Sequence, residues 1–146
     1  MKPVIATDPR EMFSRVPFMG LLQVTREFSR DGRARLGLDP RPELGNVIGS
    51  MHGGVLLTLL DVVMASAAVS RVDFSRTAVT LNLDTSFIEP GHGRLTADGE
   101  VVGHDASLAW CKGAVRDARG RLIAHGQGSF RYLPLPSSAT TTGDTP

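Results

Sequence analysis

Cysteine, excess charge and long hydrophobic runs are all scarce in this sequence. Its single cysteine, Cys111, excludes an internal disulfide framework and any metal site built from several thiolates, and it favours a reducing cytoplasm. The 16 basic residues nearly balance the 15 acidic ones, which leaves a net charge of +1. So small a charge gives no electrostatic argument for nucleic-acid binding, and we expect no nucleic-acid partner.

The apolar residues favour neither a membrane span nor a signal peptide. The main apolar run, from Val55 to Val69, is too short to cross a bilayer comfortably and carries Asp61. The first residues contain early acids at Asp8 and Glu11 and no long apolar core. We therefore expect a soluble, cytoplasmic protein without a membrane partner. Its 146 residues, 41% of them hydrophobic, suit one domain with a real core.

The stretch from Asn46 to Asp61 organises the rest of the chain. An irregular, glycine-rich approach ends in His52-Gly53-Gly54 and leads straight into the apolar run from Val55 to Val69. That run predicts one buried helix, and because its apolar residues lie on all sides, something must surround it. A helix wrapped by a sheet fits this pattern best. Only three polar residues interrupt the run: Thr58, Asp61 and Ser66.

Before this helix, the pattern predicts a lead-in segment and then a β-hairpin. Residues 1–17 carry prolines around a short amphipathic piece from Glu11 to Val16, which is typical of a loosely packed segment with one helical turn. A strand-like pattern from Phe18 to Phe28 follows. The tight turn Asp31-Gly32 and a second strand from Arg33 to Leu38 complete the predicted hairpin.

After the helix, four β-rich segments separated by turn residues predict a four-stranded antiparallel meander. In the first segment, Val79, Leu81 and Leu83 alternate with polar residues, which is the period of a strand with one buried face. Residues 134–146 are rich in Pro, Ser, Thr and Gly and predict a disordered tail. The four segments are Thr77 to Ile88, Gly93 to Gly103, Ala106 to Asp117 and Arg121 to Leu133.

Together these elements predict an α+β domain over residues 18–133. Its predicted architecture is a curved antiparallel β-sheet wrapped around a long central helix. The open sheet edges and the excess apolar surface favour pairing with a second copy of the chain. We expect a homodimer at least, and the sequence leaves open whether two dimers pair into a homotetramer.

Asp61 is the residue that most needs an explanation. A carboxylate in the middle of an apolar helix costs several kcal/mol to desolvate unless it is paired, protonated or facing a polar cavity. At the start of the helix, Gly53 and Gly54 allow close approach to backbone amides that lack partners within the helix. Such amides can hold an anion or a developing oxyanion. The alternative is a structural acid that is satisfied by Thr58 or a neighbouring hydroxyl.

Asn46 stands six positions before His52, and Asp61 stands nine positions after it. With the elements above, this spacing resembles the hotdog-fold acyl-CoA thioesterases of the phenylacetate-pathway (PaaI-like) type. The likeness runs from about Leu21 to Leu133 and includes Thr80, where the family tends to have a hydroxyl residue. It implies a hotdog fold and hydrolysis of an acyl-CoA to free acid and CoA, without a metal or a redox cofactor.

The resemblance also implies a role for each of five residues. Asp61 would act as general base or nucleophile, and the backbone amide of Gly53 would polarise the thioester carbonyl. Asn46 would position the attacking water or the substrate. His52 would orient the motif, and Thr80 would assist the acid.

One feature of this sequence departs from the family pattern. Family members often carry Gly followed by a basic residue in the turn after the second meander strand, near the phosphates of the coenzyme, whereas this chain has Gly103-His104-Asp105-Ala106. The sequence leaves open which arginine takes over phosphate binding. The candidates are Arg94, Arg116, Arg119, Arg121 and Arg131.

Helix geometry predicts that the active site is shared between two subunits. Gly53 and Asp61 are eight residues apart, which corresponds to roughly 12 Å along a helix axis. Both groups cannot reach one thioester carbon from the same helix, because reacting groups must lie within about 3 to 3.5 Å of it. Two antiparallel helices related by a dimer two-fold axis can bring them together.

Three other interpretations were weighed against thioester hydrolysis. A hotdog hydratase or dehydratase would act on the acyl chain, but it pairs a histidine with an acid in a different arrangement. A non-catalytic acyl-CoA-binding or sensing module would have no need of Asp61. A lone Cys111 beside Trp110 in a β-pattern favours an inert core residue over a nucleophile. The remaining histidines lack ligand spacing, so no metal site is expected.

Overall fold

The computed structural model describes residues 1–136 of the chain. They form three α-helices and one six-stranded β-sheet, with single 3-10 turns at Pro9–Glu11 and Pro42–Leu44. The helices are α1 Met12–Arg15, α2 Pro17–Leu22 and α3 Gly53–Arg71. The strands are β1 Thr25–Arg30, β2 Arg33–Leu38, β3 Thr77–Phe87, β4 Leu95–His104, β5 Leu108–Arg116 and β6 Leu122–Leu133.

The predicted hairpin is present, but its first strand is shorter than expected. Asp31 and Gly32 have φ angles of 51° and 77°, the two positive values that a tight hairpin turn of this kind requires. The strand predicted from residue 18 is wrong in its first half, where α2 lies instead. Pro17 takes the first helical position, which suits its fixed φ, and Gln23 ends the helix in a left-handed conformation.

The lead-in contains the predicted helical turn, as α1. It is packed less loosely than expected, because Phe13 and Val16 contact the hydrophobic core. At the other end of the chain, Pro134 to Pro136 have no regular structure. The rest of the predicted disordered tail lies outside the described residues.

The central helix α3 is confirmed and contacts all six strands, so the sheet wraps around it. By length and composition alone, its 19 residues, with a mean hydropathy of 1.8, would be enough to cross a membrane, and 56% of that stretch is buried in the fold. Within the described part of the chain, however, the helix is not covered on all sides. A row at four-residue spacing remains exposed or half-buried: Leu57, Asp61, Ala65 and Val69.

The sheet is antiparallel throughout, in the order β1-β2-β4-β5-β6-β3. The predicted four-stranded meander is therefore wrong in one connection, because β3 pairs with β6 and only β4, β5 and β6 form a meander. The seven residues 88–94 are long enough to carry the chain from β3, at one edge, across to β4 beside β2. Turn residues alone could not distinguish that crossover from a hairpin.

Strand β3 forms a sheet edge, and its apolar residues are not covered as the alternation predicted. The side chains of Val79 and Leu81 are 42% and 49% exposed. The pairing with β6 skips a residue between Thr80 and Asn82, so Leu81 forms a β-bulge. The edge thus presents unpaired backbone and apolar side chains together.

Glycines let α3 lie close against the middle of the sheet. Gly99 of β4 and Gly113 of β5 face each other in register. A Cβ atom at Gly99 would lie 2.6 Å from the carbonyl oxygen of Val63, and one at Gly113 would lie 3.2 Å from Leu60 and Met64. The helix therefore packs directly against the backbone of β4 and β5 at these glycines. This contact fixes the position of the open face of α3 relative to β3.

Candidate active site

The carboxylate of Asp61 and the hydroxyl of Thr80 meet where α3 passes the edge strand. Oγ1 of Thr80 donates a hydrogen bond to Oδ1 of Asp61 over 2.5 Å. Asp61 lies on the open row of the helix and is half-buried. Thr58, the other hydroxyl considered for it, donates instead to the carbonyl of Gly54. The acid is thus held by one hydroxyl from β3.

The Asp61–Thr80 pair lines a cavity of about 460 Å³. Its floor is the open face of α3 from Asp61 to Val69, and one wall is the start of β3. The lead-in forms the opposite wall through Met12, Phe13 and Val16, among other residues. The surface around the carboxylate is therefore mostly apolar, as an acyl-binding cavity requires.

His52 fixes the start of the helix. Its backbone is extended, and its Nδ1 accepts a hydrogen bond from the amide of Gly54 over 2.9 Å, so the imidazole serves as the N-cap. Its own amide donates to the carbonyl of Leu44 over 2.8 Å. A Cβ atom at Gly54 would approach Nδ1 to 3.1 Å, so a glycine there makes room for the cap. This geometry agrees with an orienting role for the histidine.

Gly53 is the first residue of α3. Among residues 1–136, its N–H has no hydrogen-bond acceptor, as is usual for a first-turn amide. Apart from its chain neighbours, a Cβ atom added at Gly53 would meet one side chain of the described residues, the ring of Phe87 at 3.6 Å. The amide is thus free to receive an external oxygen, and the fold itself does not demand glycine at this position.

Asn46 uses its side chain within its own loop. Its Oδ1 accepts from the amides of Ile48 and Ser50 over 3.1 and 3.0 Å, and its Nδ2 donates to the hydroxyl of Ser50 over 2.9 Å. These bonds shape the approach to His52. Contact of Asn46 with water or substrate stays a prediction.

The five predicted residues form two groups within one chain. Asp61 and Thr80 lie together in the cavity, whereas Asn46, His52 and Gly53 lie on the loop and at the first turn of α3. The eight residues between Gly53 and Asp61 are helical, so the groups are separated by roughly 12 Å along the axis. One chain alone does not assemble all five around a single carbon atom.

Cys111 is a core residue of β5, with only 2% of its surface exposed. Burial raises the pKa of its thiol to about 12, so the thiolate needed for nucleophilic attack is not formed at neutral pH. In the described part of the chain, no cluster of three or more His, Cys, Asp or Glu residues is arranged to hold a metal ion.

Two of the five candidate phosphate-binding arginines are already in ion pairs. Arg94 contacts Asp39 over 2.8 Å and Glu27 over 3.5 Å. Arg121 contacts Asp117 over 2.7 Å and Glu89 over 3.3 Å. The other three form no ion pair within residues 1–136: Arg116, Arg119 and Arg131.

Asp105, in the turn that departs from the family pattern, has a structural role. The carboxylate of Asp105 accepts hydrogen bonds from the amides of Ser107 and Leu108, over 2.7 and 2.8 Å. These amides hold the pKa of Asp105 below its ordinary value, since they stabilise the charged form. The acid therefore shapes the turn between β4 and β5.

Sequence reasoning missed two features of this site. The first is the bulge at Leu81, which follows Thr80 directly and has no signal in the alternation of β3. The second is the lead-in wall of the cavity, through which Phe13, far from Asp61 in the sequence, lines the same cavity. The amphipathic pattern of residues 11–16 was the available signal, but it does not say which surface the segment covers.

The chain belongs to the thioesterase superfamily, whose family pattern matches residues 48–124. The match includes His52, Gly53, Asp61 and Thr80, while Asn46 lies just before it. A curated protein of Halobacterium salinarum named "Putative esterase" is 30% identical over 126 residues, covering 79% of this chain and 83% of that protein. The chain is accordingly a hydrolase of the ester and thioester class.

Solved structures confirm the predicted hotdog fold. A thioesterase family protein from Silicibacter pomeroyi is 25% identical, with a TM-score of 0.81, over 86% of this chain and 96% of that one. The PaaI protein of the Escherichia coli phenylacetic acid degradation operon is 20% identical, with a TM-score of 0.79, over 86% of this chain and 91% of that one. The latter likeness concerns the fold alone.

Proposed function

We propose that this protein is an acyl-CoA thioesterase of the PaaI-like type. The observation that carries the proposal is the Asp61–Thr80 pair on the wall of an apolar cavity of about 460 Å³. Thioester hydrolysis needs a group that activates water or attacks the carbonyl, and an apolar space for the acyl chain. Membership of the thioesterase superfamily supports the class of reaction, and the residues that line the cavity support the proposed mechanism.

In the proposed reaction, Asp61 acts on the thioester carbonyl carbon. As general base it takes a proton from a water molecule while the water oxygen forms the new bond to that carbon; as nucleophile it would attack the carbon itself. The carbonyl oxygen becomes negatively charged in either case and is stabilised by an amide donor. In the base route, the carbon–sulfur bond then breaks, the CoA thiolate takes up the proton held by Asp61, and the free acid leaves. In the nucleophile route, the breaking of that bond leaves the acyl group on Asp61 as a mixed anhydride. Water then hydrolyses the anhydride to release the free acid and restore the carboxylate, and its proton goes to the CoA thiolate.

Thr80 keeps the carboxylate in place. A hydrogen bond to one carboxylate oxygen fixes the side-chain rotamer and leaves the second oxygen for the reaction. Because the donor belongs to β3 and the acceptor to α3, the bond also ties the catalytic acid to the sheet edge.

We propose further that the active unit is a homodimer, with the tetramer as an open question. The free edge of β3 carries four exposed apolar side chains, and Leu57 of α3, which does not line the cavity, is exposed as well. A second copy packed there would cover both surfaces. The exposed side chains of β3 and the next residue are Val79, Leu81, Phe87 and Ile88.

The same dimer would complete the active site. The unpaired amide of Gly53 is at one end of α3 and Asp61 is two turns further along. In a two-fold dimer with antiparallel helices, the Gly53 amide of one subunit would approach the Asp61 carboxylate of the other. Each site would then combine the oxyanion donor of one chain with the base or nucleophile of its partner.

Thiol release from a panel of short, long, branched and aromatic acyl-CoAs tests the function. The parent protein should release free CoA from at least one class, and Asp61→Asn should not. A hydratase would alter enoyl-CoA without releasing thiol, and a binding module would bind acyl-CoA without converting it. Either of those outcomes would replace the proposed function.

A further inference from the structure

The cavity beside Asp61 contains a feature that thioester hydrolysis does not need. Arg26 of β1 lines it, half-buried, and forms no ion pair with any carboxylate among residues 1–136. A partly buried guanidinium is costly to desolvate unless acceptors meet its N–H groups. Its burial lowers the pKa of Arg26 from the ordinary value. No carboxylate in the described part of the chain neutralises this charge.

Two aromatic rings and one carbonyl surround this guanidinium. Its Cζ lies 5.2 Å from the centroid of the Phe13 ring and 5.7 Å from that of Phe74. Its Nη2 donates a hydrogen bond to the carbonyl oxygen of Arg10. Its other N–H groups have no acceptor among residues 1–136. A carboxylate can accept two such N–H bonds at once.

The guanidinium lies toward the end of the cavity away from Asp61. The amide of Phe74 donates to the carbonyl of Val69 over 3.0 Å, which places Phe74 beside the last residue of the cavity floor. Val69 is eight residues beyond Asp61 on α3, or roughly 12 Å along its axis. An acyl group whose thioester is at Asp61 would thus extend toward Arg26.

The other arginine of the cavity is less suited to this role. Arg76 stacks on the ring of Tyr132, with its Cζ 4.4 Å from the centroid, and donates to the carbonyl of Ala106. It belongs to the segment just before β3, and β3 lies at the opposite edge of the sheet from β1. Of the two arginines, Arg26 is the one whose Cζ lies over both Phe13 and Phe74.

We propose that Arg26 recognises a carboxylate at the distal end of the acyl group, so that the preferred substrates are half-thioesters of dicarboxylic acids. This inference rests on the proposed function and adds the substrate class to it. Arg26 would be a specificity residue: it touches the substrate far from the reacting carbon. A distal carboxylate would supply acceptors to N–H groups that have none among residues 1–136.

The test compares acyl-CoAs that differ only at the distal carbon. For the full-length parent protein, kcat/KM is measured by thiol release with hexanoyl-CoA against adipyl-CoA, and with octanoyl-CoA against suberyl-CoA. At least one diacid should be favoured by about tenfold or more, the size of one charge-assisted hydrogen bond. Equal rates, or a preference for the monoacids, would overturn the inference and leave the proposed function standing. No thiol release from any of the four would overturn the inference, and it would overturn the proposed function as well if the branched and aromatic acyl-CoAs also released no thiol.

Variants separate recognition from a merely structural role. Arg26→Met keeps an apolar side chain between Phe13 and Phe74, and should lower kcat/KM for the favoured diacid by about tenfold more than for its monoacid, so that the preference is lost. Arg30→Met is the matched control, because Arg30 also stacks on a ring, that of Phe28 at 5.5 Å, but lies outside this cavity. It should leave the preference unchanged.

An equal loss on monoacids and diacids in folded Arg26→Met would overturn the inference, since that result indicates a structural role or a contact with the coenzyme. If Arg26→Met does not fold, the diacid preference of Arg26→Lys is measured instead and tests the inference. Lysine keeps the charge but cannot form two parallel N–H bonds, so the preference should shrink without disappearing. A full preference in Arg26→Lys would contradict bidentate recognition.

Discussion

The hydroxyl of Thr80 donates to the Oδ1 atom of Asp61 over 2.5 Å, and this bond joins the edge strand to the central helix. It explains how an apolar helix carries a carboxylate: the acid faces a cavity and is held by one donor. It also ranks the two residues by their expected contribution to catalysis. Asp61 carries the proposed chemistry, and Thr80 positions it.

The first prediction follows from that ranking. Asp61→Asn should lower kcat by about 100-fold or more, because an amide cannot act as a carboxylate base or nucleophile. Thr80→Val removes only the hydroxyl and should lower kcat by about tenfold, the effect of one hydrogen bond to a charged group. Steady-state turnover on the best acyl-CoA and thermal melting of each variant provide the measurements.

Both variants should melt close to the parent, since each nearly preserves the shape of the residue it replaces. If the Thr80 variant proved the more damaged of two equally folded proteins, the two assigned roles would have to be exchanged. Near-parental turnover in folded Asp61→Asn would remove the acid from the mechanism.

The second prediction concerns the amide of Gly53. Proline is favoured at the first helical position, and His52 has a ψ of 136°, a value suited to the residue before proline. Gly53→Pro should therefore fold while losing the N–H, and turnover should fall by roughly 100-fold or more, as when an oxyanion donor is removed. Melting temperature and kcat together test this.

Gly53→Ala is the matched control, because it keeps the N–H and adds a Cβ that would meet only the ring of Phe87 at 3.6 Å. It should retain more activity than Gly53→Pro. Equal activities in the two folded variants would show that the N–H itself does not contribute.

The third prediction concerns pH and the turn between β5 and β6. The carboxylate of Asp117 accepts from the side chain of Arg121, over 2.7 and 3.0 Å, and from the amides of Arg119 and Arg121. The bonds from the Arg121 side chain are the main reason that the pKa of Asp117 lies below its ordinary value of 3.8. The ionised carboxylate thus stabilises the folded state above that value, and its contribution is lost as the pH falls through the lower, folded-state pKa.

Asp117→Asn should accordingly lower the melting temperature by a few degrees at pH 7. The gap from the parent should narrow below about pH 4, where the parent loses the same charge. Parallel melting curves between pH 3 and pH 7 measure it. A gap that stays constant over that range would show that ionisation of Asp117 does not contribute to stability.

Local patterns predicted the elements that depend on local rules. The apolar run and its glycine-rich start located α3, and Asp31-Gly32 located the first hairpin because both residues tolerate positive φ. The pairing of β3 with β6 was not predictable in this way, since it depends on a crossover set by packing. The segment of α2 was misread as a strand for a related reason: short apolar runs fit either period.

The individual site residues were predictable only through the family resemblance. The geometry of the site was not predictable from the sequence. The contact between Asp61 and Thr80 spans two elements, so sequence spacing alone could not show it. Arg26 had no signal at all, because its importance comes from Phe13 and Phe74 closing around it. Such positions are visible only when the elements are packed together.

The central claim is that Asp61 of one subunit and the Gly53 amide of its partner form one thioester-hydrolysing site. Mixing Asp61→Asn with Gly53→Pro under conditions that exchange subunits tests it most directly. A mixed dimer would hold one intact site and one doubly damaged site, so two nearly inactive parents should together regain activity. At equal mixing, half of the dimers are mixed and each has one intact site of two, so about a quarter of the parental thiol release is predicted. If verified mixed dimers of correctly folded subunits show no more activity than either variant alone, the shared site is contradicted.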